Sequence, residues 1–141
     1  MTGRVLGVDL GGKRIGLAIS DSLRYTAQVL DVIQNKSEPD VLRQIGKAVE
    51  EHQVVLVVVG LPIKMDGSQG PEAKAAIRFA MRLRDSLGIS VETWDERLSS
   101  VQADRFLAEA EVRGKKRKRL QDQLAAQIIL QSFLDASSLG G

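Results

Sequence analysis

With 141 residues and no cysteine, the chain can bury a core without covalent staples, and it has no disulfides, zinc–thiolate centre or thiol nucleophile. Its formal charge of +2 is uneven: Arg113–Arg119 holds six basic residues, and without them 14 basic side chains face 18 acidic ones. That argues for a local docking patch for an anion rather than a generally basic surface. The longest apolar run, Val54–Val59, is far too short to span a bilayer, and Met1–Arg4 leads straight into a strand pattern. A cytoplasmic protein with one domain over 1–141 is expected.

Val5–Leu10 and Ile15–Ser20 flank Gly11-Gly12-Lys13-Arg14 and read as a hairpin of two buried strands. A third strand is expected around Thr26–Ile33. Asn35–Pro39 then breaks the pattern, and Val41, Leu42, Ile45, Ala48 and Val49 recur at helical spacing to about Glu51. Val54–Val59 is continuous and β-branched, as in a strand covered on both faces. A loop over Ile63–Pro71 leads into a helix from Glu72 to about Leu87, stopped by Gly88. Ile89–Trp94 is the fifth strand. Ser99 and Gln102 resemble a capping box for a helix to about Ala110, and a basic loop precedes a last helix over about Leu120–Ala136. The order βββ-α-β-α-β-α-α gives an α/β fold, a mixed five-stranded sheet with helices on both faces.

Three acidic positions break their local patterns. Asp9 lies in the first strand, on the face shared by Val5 and Gly7. A carboxylate there loses solvation and needs a cation or several donors to stay ionised. Turn amides of Gly11 and Gly12 are one source, and a metal or phosphate site at the glycine turn is the other. Asp95 and Glu96 follow the fifth strand, where open α/β sheets place their ligands. Asp122 falls at the centre of the apolar stripe formed by Ala125, Ala126, Ile129 and Phe133, where it requires a cationic partner such as Arg97 or a metal. Three carboxylates at one sheet end, without a His or Cys cluster, suit Mg²⁺ or Mn²⁺ and suggest phosphodiester hydrolysis.

GVDLGGKRIGLAISD, VVGLPIKMDGSQG, DERLSS and D-x-x-A-A-x-x-I-L-Q, in this order, resemble the YqgF (RuvX) family of the ribonuclease H-like superfamily. The resemblance implies an RNase H-like fold with sheet order 3-2-1-4-5 and an antiparallel second strand. It also implies a nuclease for the 5′ end of pre-16S rRNA, with Holliday-junction resolution as the older proposal. By position, Asp9, Glu96 and Asp122 become the catalytic and metal-binding acids. Resolvases hold an acid at the end of the fourth strand, whereas this strand ends in Gly60-Leu61-Pro62. Glu96 must therefore reach across a strand, and whether Asp95 or Glu96 faces the metal stays open.

Arg14 and Arg97 are candidate phosphate contacts, Arg97 the better one because its fork can bind two oxygens. Lys13, beside Arg14 at the turn, and Lys64 are further candidate contacts. Lys115, Lys116, Arg117 and Lys118 lie just before Asp122 and are expected to bind nucleic-acid backbone. Only Tyr25 or Trp94 could stack on a base, and His52 is expected at the surface. The expected function is a metal-dependent endonuclease of structured RNA in ribosomal RNA maturation, with pre-rRNA or a pre-ribosomal particle as partner. The alternatives are a resolvase-like nuclease of branched DNA, a non-catalytic RNA-binding assembly factor, and an actin-like ATPase, whose two-domain duplication does not fit in 141 residues.

Overall fold

The computed structural model describes residues 2–97 and 114–140, with side chains omitted at 114–123 and 139–140. The strands are β1 (Arg4–Leu10), β2 (Arg14–Ser20), β3 (Ala27–Gln34), β4 (Val54–Leu61) and β5 (Ser90–Asp95). The helices are α1 (Glu38–Glu51), α2 (Pro71–Leu87) and α3 (Gly114–Gly140). The sheet order is β3-β2-β1-β4-β5. β2 runs antiparallel to both neighbours, and β4 runs parallel to β1 and β5. This is the order and polarity that the resemblance implies. The helix expected from Ser99 to Ala110 lies outside the described residues.

Local signals set the element ends. Ser37 caps α1, its Oγ accepting from the Asp40 N–H at 3.4 Å, and a proline stands in the first turn. Gly88 closes α2 in the left-handed region at φ 66°, where a β-carbon would be strained. α3 departs from expectation. It starts at Gly114 rather than near Leu120, so Lys115–Lys118 lie on helix and not in a loop. The physical reason is that Lys and Arg are good helix formers, and no proline or β-branched residue interrupts the run.

Alternation along the strands divides the core into two layers. Leu6, Val8, Ile15, Leu17, Val57 and Val59 pack under Val41 and Ile45 of α1 and Ala73, Ala76, Phe79 and Leu83 of α2. On the opposite face Val5, Ala18, Ala27, Leu56 and Val58 pack under Ala126, Leu130, Phe133 and Leu134 of α3. Burying each large aliphatic side chain contributes about 1.5–3 kcal/mol, so the two layers fix which face every strand residue presents. Asp9 falls on the α3 side, two positions beyond Gly7.

α3 is locked to the sheet edge by two glutamines. Gln131 accepts from the Ala27 N–H at 2.8 Å and donates to the Tyr25 carbonyl at 3.1 Å, while Gln127 donates to the Ala27 carbonyl at 2.9 Å. Ala27 pairs with Ser20, at the end of the sheet opposite Asp9. The C-terminal half of α3 is thereby tied to the far end of the sheet.

Candidate active site

β1, β4 and β5 run parallel, so their carboxyl ends share one sheet edge, and antiparallel β2 begins there with Arg14. Asp9 sits next to last in β1, opposite Gly16 of the hairpin. Glu96 follows the last residue of β5, and its N–H donates to the Leu61 carbonyl at 3.1 Å, which ties the start of its side chain to the end of β4. From there the carboxyl of Glu96 comes close enough to that of Asp9 for the Asp9 charge to act on it directly. Burial is the main force on Glu96 and the Asp9 charge the next, and together they push it from 4.5 up to about 8. The other described charges acting on it, Asp95 and Glu72, are negative as well.

Asp95 has a different task. It receives the Arg97 N–H at 2.9 Å, Nε at 3.1 and 3.0 Å, and Nη2 at 2.7 Å. The Arg97 fork holds the Asp95 carboxyl below the ordinary carboxylate range. Asp95 thus closes the turn after β5 and aims Arg97, while Glu96 turns inward to Asp9. The remaining guanidinium nitrogen of Arg97 faces the loop between β4 and α2, 3.9 Å from where a β-carbon on Gly67 would stand.

That loop is closed on itself. Lys64 N–H donates to the Ser68 carbonyl at 3.0 Å, Gly67 N–H donates to the Lys64 carbonyl at 2.8 Å, and Asp66 accepts from the Ser68 N–H and hydroxyl. Arg14 is exposed at the start of β2, at the site end of the sheet. Asp122 lies on α3 one turn before Ala126, whose carbonyl oxygen approaches Gly7; its side chain, like those of Lys115, Lys116, Arg117 and Lys118, is outside the described set.

Trp94 corrects an expectation: it is half-buried, T-stacked on Phe133 with centroids 5.5 Å apart, and donates to Ser132 at 3.0 Å. Its ring is committed to α3 packing. Tyr25 is exposed but stands at the far end of the sheet. His52 ends α1 and lines a cleft of about 370 Å³ with Arg43, Lys47 and Asp31, away from the acids.

Among the described residues no group of three His, Cys, Asp or Glu side chains is gathered as a metal site. The Asp9–Glu96 pair nevertheless fits a hard divalent cation. It supplies oxygen donors only, it is half-buried, and its described electrostatic surroundings carry surplus negative charge.

The mixed five-stranded sheet, with this strand order and polarity, is that of an RNase H-like fold. A match to the RuvX family, described as Holliday junction resolvase, spans residues 3–136, and the chain belongs to that family. A Myxococcus xanthus protein named "Putative pre-16S rRNA nuclease" is 50% identical over 133 residues, covering 94% of this chain and 88% of its own length. A Syntrophomonas wolfei protein of the same name is 46% identical over 137 residues, covering 97% of each. In fold the chain is similar to Thermus thermophilus RuvC, with a TM-score of 0.56 at 16% identity over 96% of each chain. It is also similar to the fowlpox virus Holliday junction resolvase, with a TM-score of 0.53 at 17% identity over 94% of this chain and 99% of that one.

Proposed function

We propose that the chain is a metal-dependent endonuclease of structured RNA, acting as one nuclease domain in the cytoplasm on the 5′ end of pre-16S rRNA. The observation that carries this reading is the Asp9–Glu96 carboxyl pair. Two half-buried carboxyls brought together are unfavourable unless something compensates them, and a divalent cation does so while releasing the proton that a raised Glu96 holds. Asp9 and Glu96 would hold Mg²⁺ or Mn²⁺, with Asp122 as the third ligand. Its placement is supported by the run of α3, whose later turns are tied to the far end of the sheet. When bound, the cation would lower the pKa of a water and stabilise the leaving oxygen of a phosphodiester.

The chain's own residues supply position and charge. Asp9, in a paired strand, and Glu96, anchored through its N–H to Leu61, hold their oxygens on rigid elements. Arg97, aimed by Asp95, and Arg14 at the hairpin rim would contact phosphate, and Lys115, Lys116, Arg117 and Lys118 would neutralise backbone further along the strand. The names of the relatives support RNA as substrate. The family description supports a second reading, cleavage of branched DNA.

The test is cleavage of a labelled 16S precursor fragment and of a four-way DNA junction, with Mg²⁺ or Mn²⁺, by wild type and Asp9→Asn. Wild type should cut the RNA at its 5′ side. Asp9→Asn should fold and bind RNA but lose cleavage by orders of magnitude, and cells relying on it should accumulate unprocessed 16S 5′ ends. Cleavage of the junction alone would replace the RNA reading with the DNA one. Full cellular rescue by Asp9→Asn would mark a non-catalytic assembly factor, and retained cleavage would remove Asp9 from the mechanism.

A further inference from the structure

We propose that Gly60 is a positioning residue, and that its missing side chain is the passage through which Glu96 crosses β4 to reach Asp9. The inference rests on reading Asp9 and Glu96 as one metal-binding pair. β4 lies between β1 and β5, and Gly60 stands opposite Trp94, one position beyond Val59, which pairs with Val8. Val58 packs in the α3 layer and Val59 in the α1–α2 layer, so alternation returns Gly60 to the α3 side. Asp9 lies on that same side. A straight path from β5 to Asp9 therefore runs over Gly60.

The clearances show how narrow the path is. A β-carbon on Gly60 would lie 3.0 Å from both Cγ and Cδ of Glu96 and 2.8 Å from Cδ1 of Ile129. Ordinary carbon–carbon contacts fall at about 3.5–4.0 Å. The Glu96 stem thus runs in a slot whose floor is the bare backbone of Gly60, bordered by Ile129 of α3. Backbone conformation does not account for the glycine. The positive-φ glycines among the described residues are Gly3, Gly67 and Gly88, so any L-residue could adopt the Gly60 backbone. Nor does strand stability favour it, because glycine weakens a strand and its neighbours are Val57, Val58 and Val59. What remains is close approach, and the group approaching is Glu96.

Gly60→Ala should spare the fold, because Cδ1 of Ile129 is the tip of a side chain and can yield. It should push the Glu96 carboxyl off Asp9. The experiment compares full-length wild type, Gly60→Ala, Ile129→Val and the double variant by thermal melting and by Mn²⁺ calorimetry without nucleic acid. Ile129→Val removes the overlapping Cδ1 atom and does nothing for Glu96. Gly60→Ala should lose at least tenfold in Mn²⁺ affinity. The double variant should regain melting temperature while its Mn²⁺ affinity stays low. Wild-type Mn²⁺ affinity in Gly60→Ala, or joint recovery of affinity and melting temperature in the double variant, would overturn the inference and leave Gly60 a helix-packing glycine. A Glu96→Gln control separates the two levels: undiminished Mn²⁺ binding there would overturn the metal-pair reading itself, and this inference with it.

Discussion

Glu96→Gln in the metal-free protein gives the most direct test of the carboxyl pair. In the folded chain Glu96 titrates at about 8 against an ordinary 4.5, through burial and the adjacent Asp9 charge. The folded state therefore holds this proton more tightly than the unfolded state does. The stability so gained is complete below about pH 4.5, declines as pH rises, and is gone above about 8. At ~1.4 kcal/mol per pH unit the whole span sets an upper bound of about 5 kcal/mol. The site is only half-buried and open to solvent screening, so a contribution of roughly 2–3 kcal/mol, lost across this range, is expected. For a chain of this size that lowers the melting temperature by roughly 6–10 °C. Melting wild type and Glu96→Gln in chelator from pH 5 to 8.5 isolates the effect, since His52 and all other groups are common to both. Wild type should slope downward relative to the variant, and Glu96→Gln should be the more stable protein at pH 8.5. Added Mg²⁺ should stabilise wild type more at pH 8 than at pH 6, where the proton competes with it. Superimposable pH profiles for the two proteins would refute the raised Glu96 titration.

Changing Lys115, Lys116, Arg117 and Lys118 together to Ala should weaken nucleic-acid binding and reduce the log–log salt slope by roughly 0.7–0.9 per lost phosphate contact, read by titrations at several salt concentrations. Asp95→Asn should leave Mn²⁺ affinity within a few-fold of wild type, because Asp95 is occupied by Arg97. A loss as deep as that of Glu96→Gln would reverse the assignment of the two neighbouring acids. Gly7→Ala would place a methyl 2.8 Å from Leu130 Cβ and 3.2 Å from the Ala126 carbonyl, so it should cost about 1–3 kcal/mol by lifting α3 off β1. Chemical denaturation measures this loss, and an unchanged midpoint would show that the helix has room to spare.

The hairpin and the two crossovers were legible because each rests on a local signal: glycine between apolar runs, helical periodicity after Ser37, a β-branched run at Val54. The strand order came from the resemblance to the YqgF (RuvX) family. Asp9 was legible as a charge where the pattern wants an apolar residue. The choice between Asp95 and Glu96 was not, because it depends on the turn that Arg97 makes back onto Asp95, a feature no alternation rule contains. The start of α3 was misplaced because a run of like charges resembles a solvated loop, although its residue types favour helix. Trp94 was misread as available for stacking because sequence shows an aromatic near the acids but not Phe133 above it. Gly60 looked like a simple strand end. Its role emerges only when residues from β4, β5 and α3 are seen in one place.

The glutamine clamp between α3 and the start of β3 joins residues 104 positions apart. A chain made from its N-terminus can pair β1 with β2 early, but the α3 layer cannot pack on the sheet until α3 itself has been synthesised. Contacts so distant in sequence also form late in folding, since the loop they close carries a large entropy cost. Glu96 cannot meet Asp9 before β5 has docked beside β4, and Ile129 cannot border the slot before α3 arrives. An unfinished chain therefore carries the acids without an assembled site. For a nuclease whose proposed substrate is the precursor of the particle that synthesises it, that order of assembly delays cutting activity until α3 has been made and has docked.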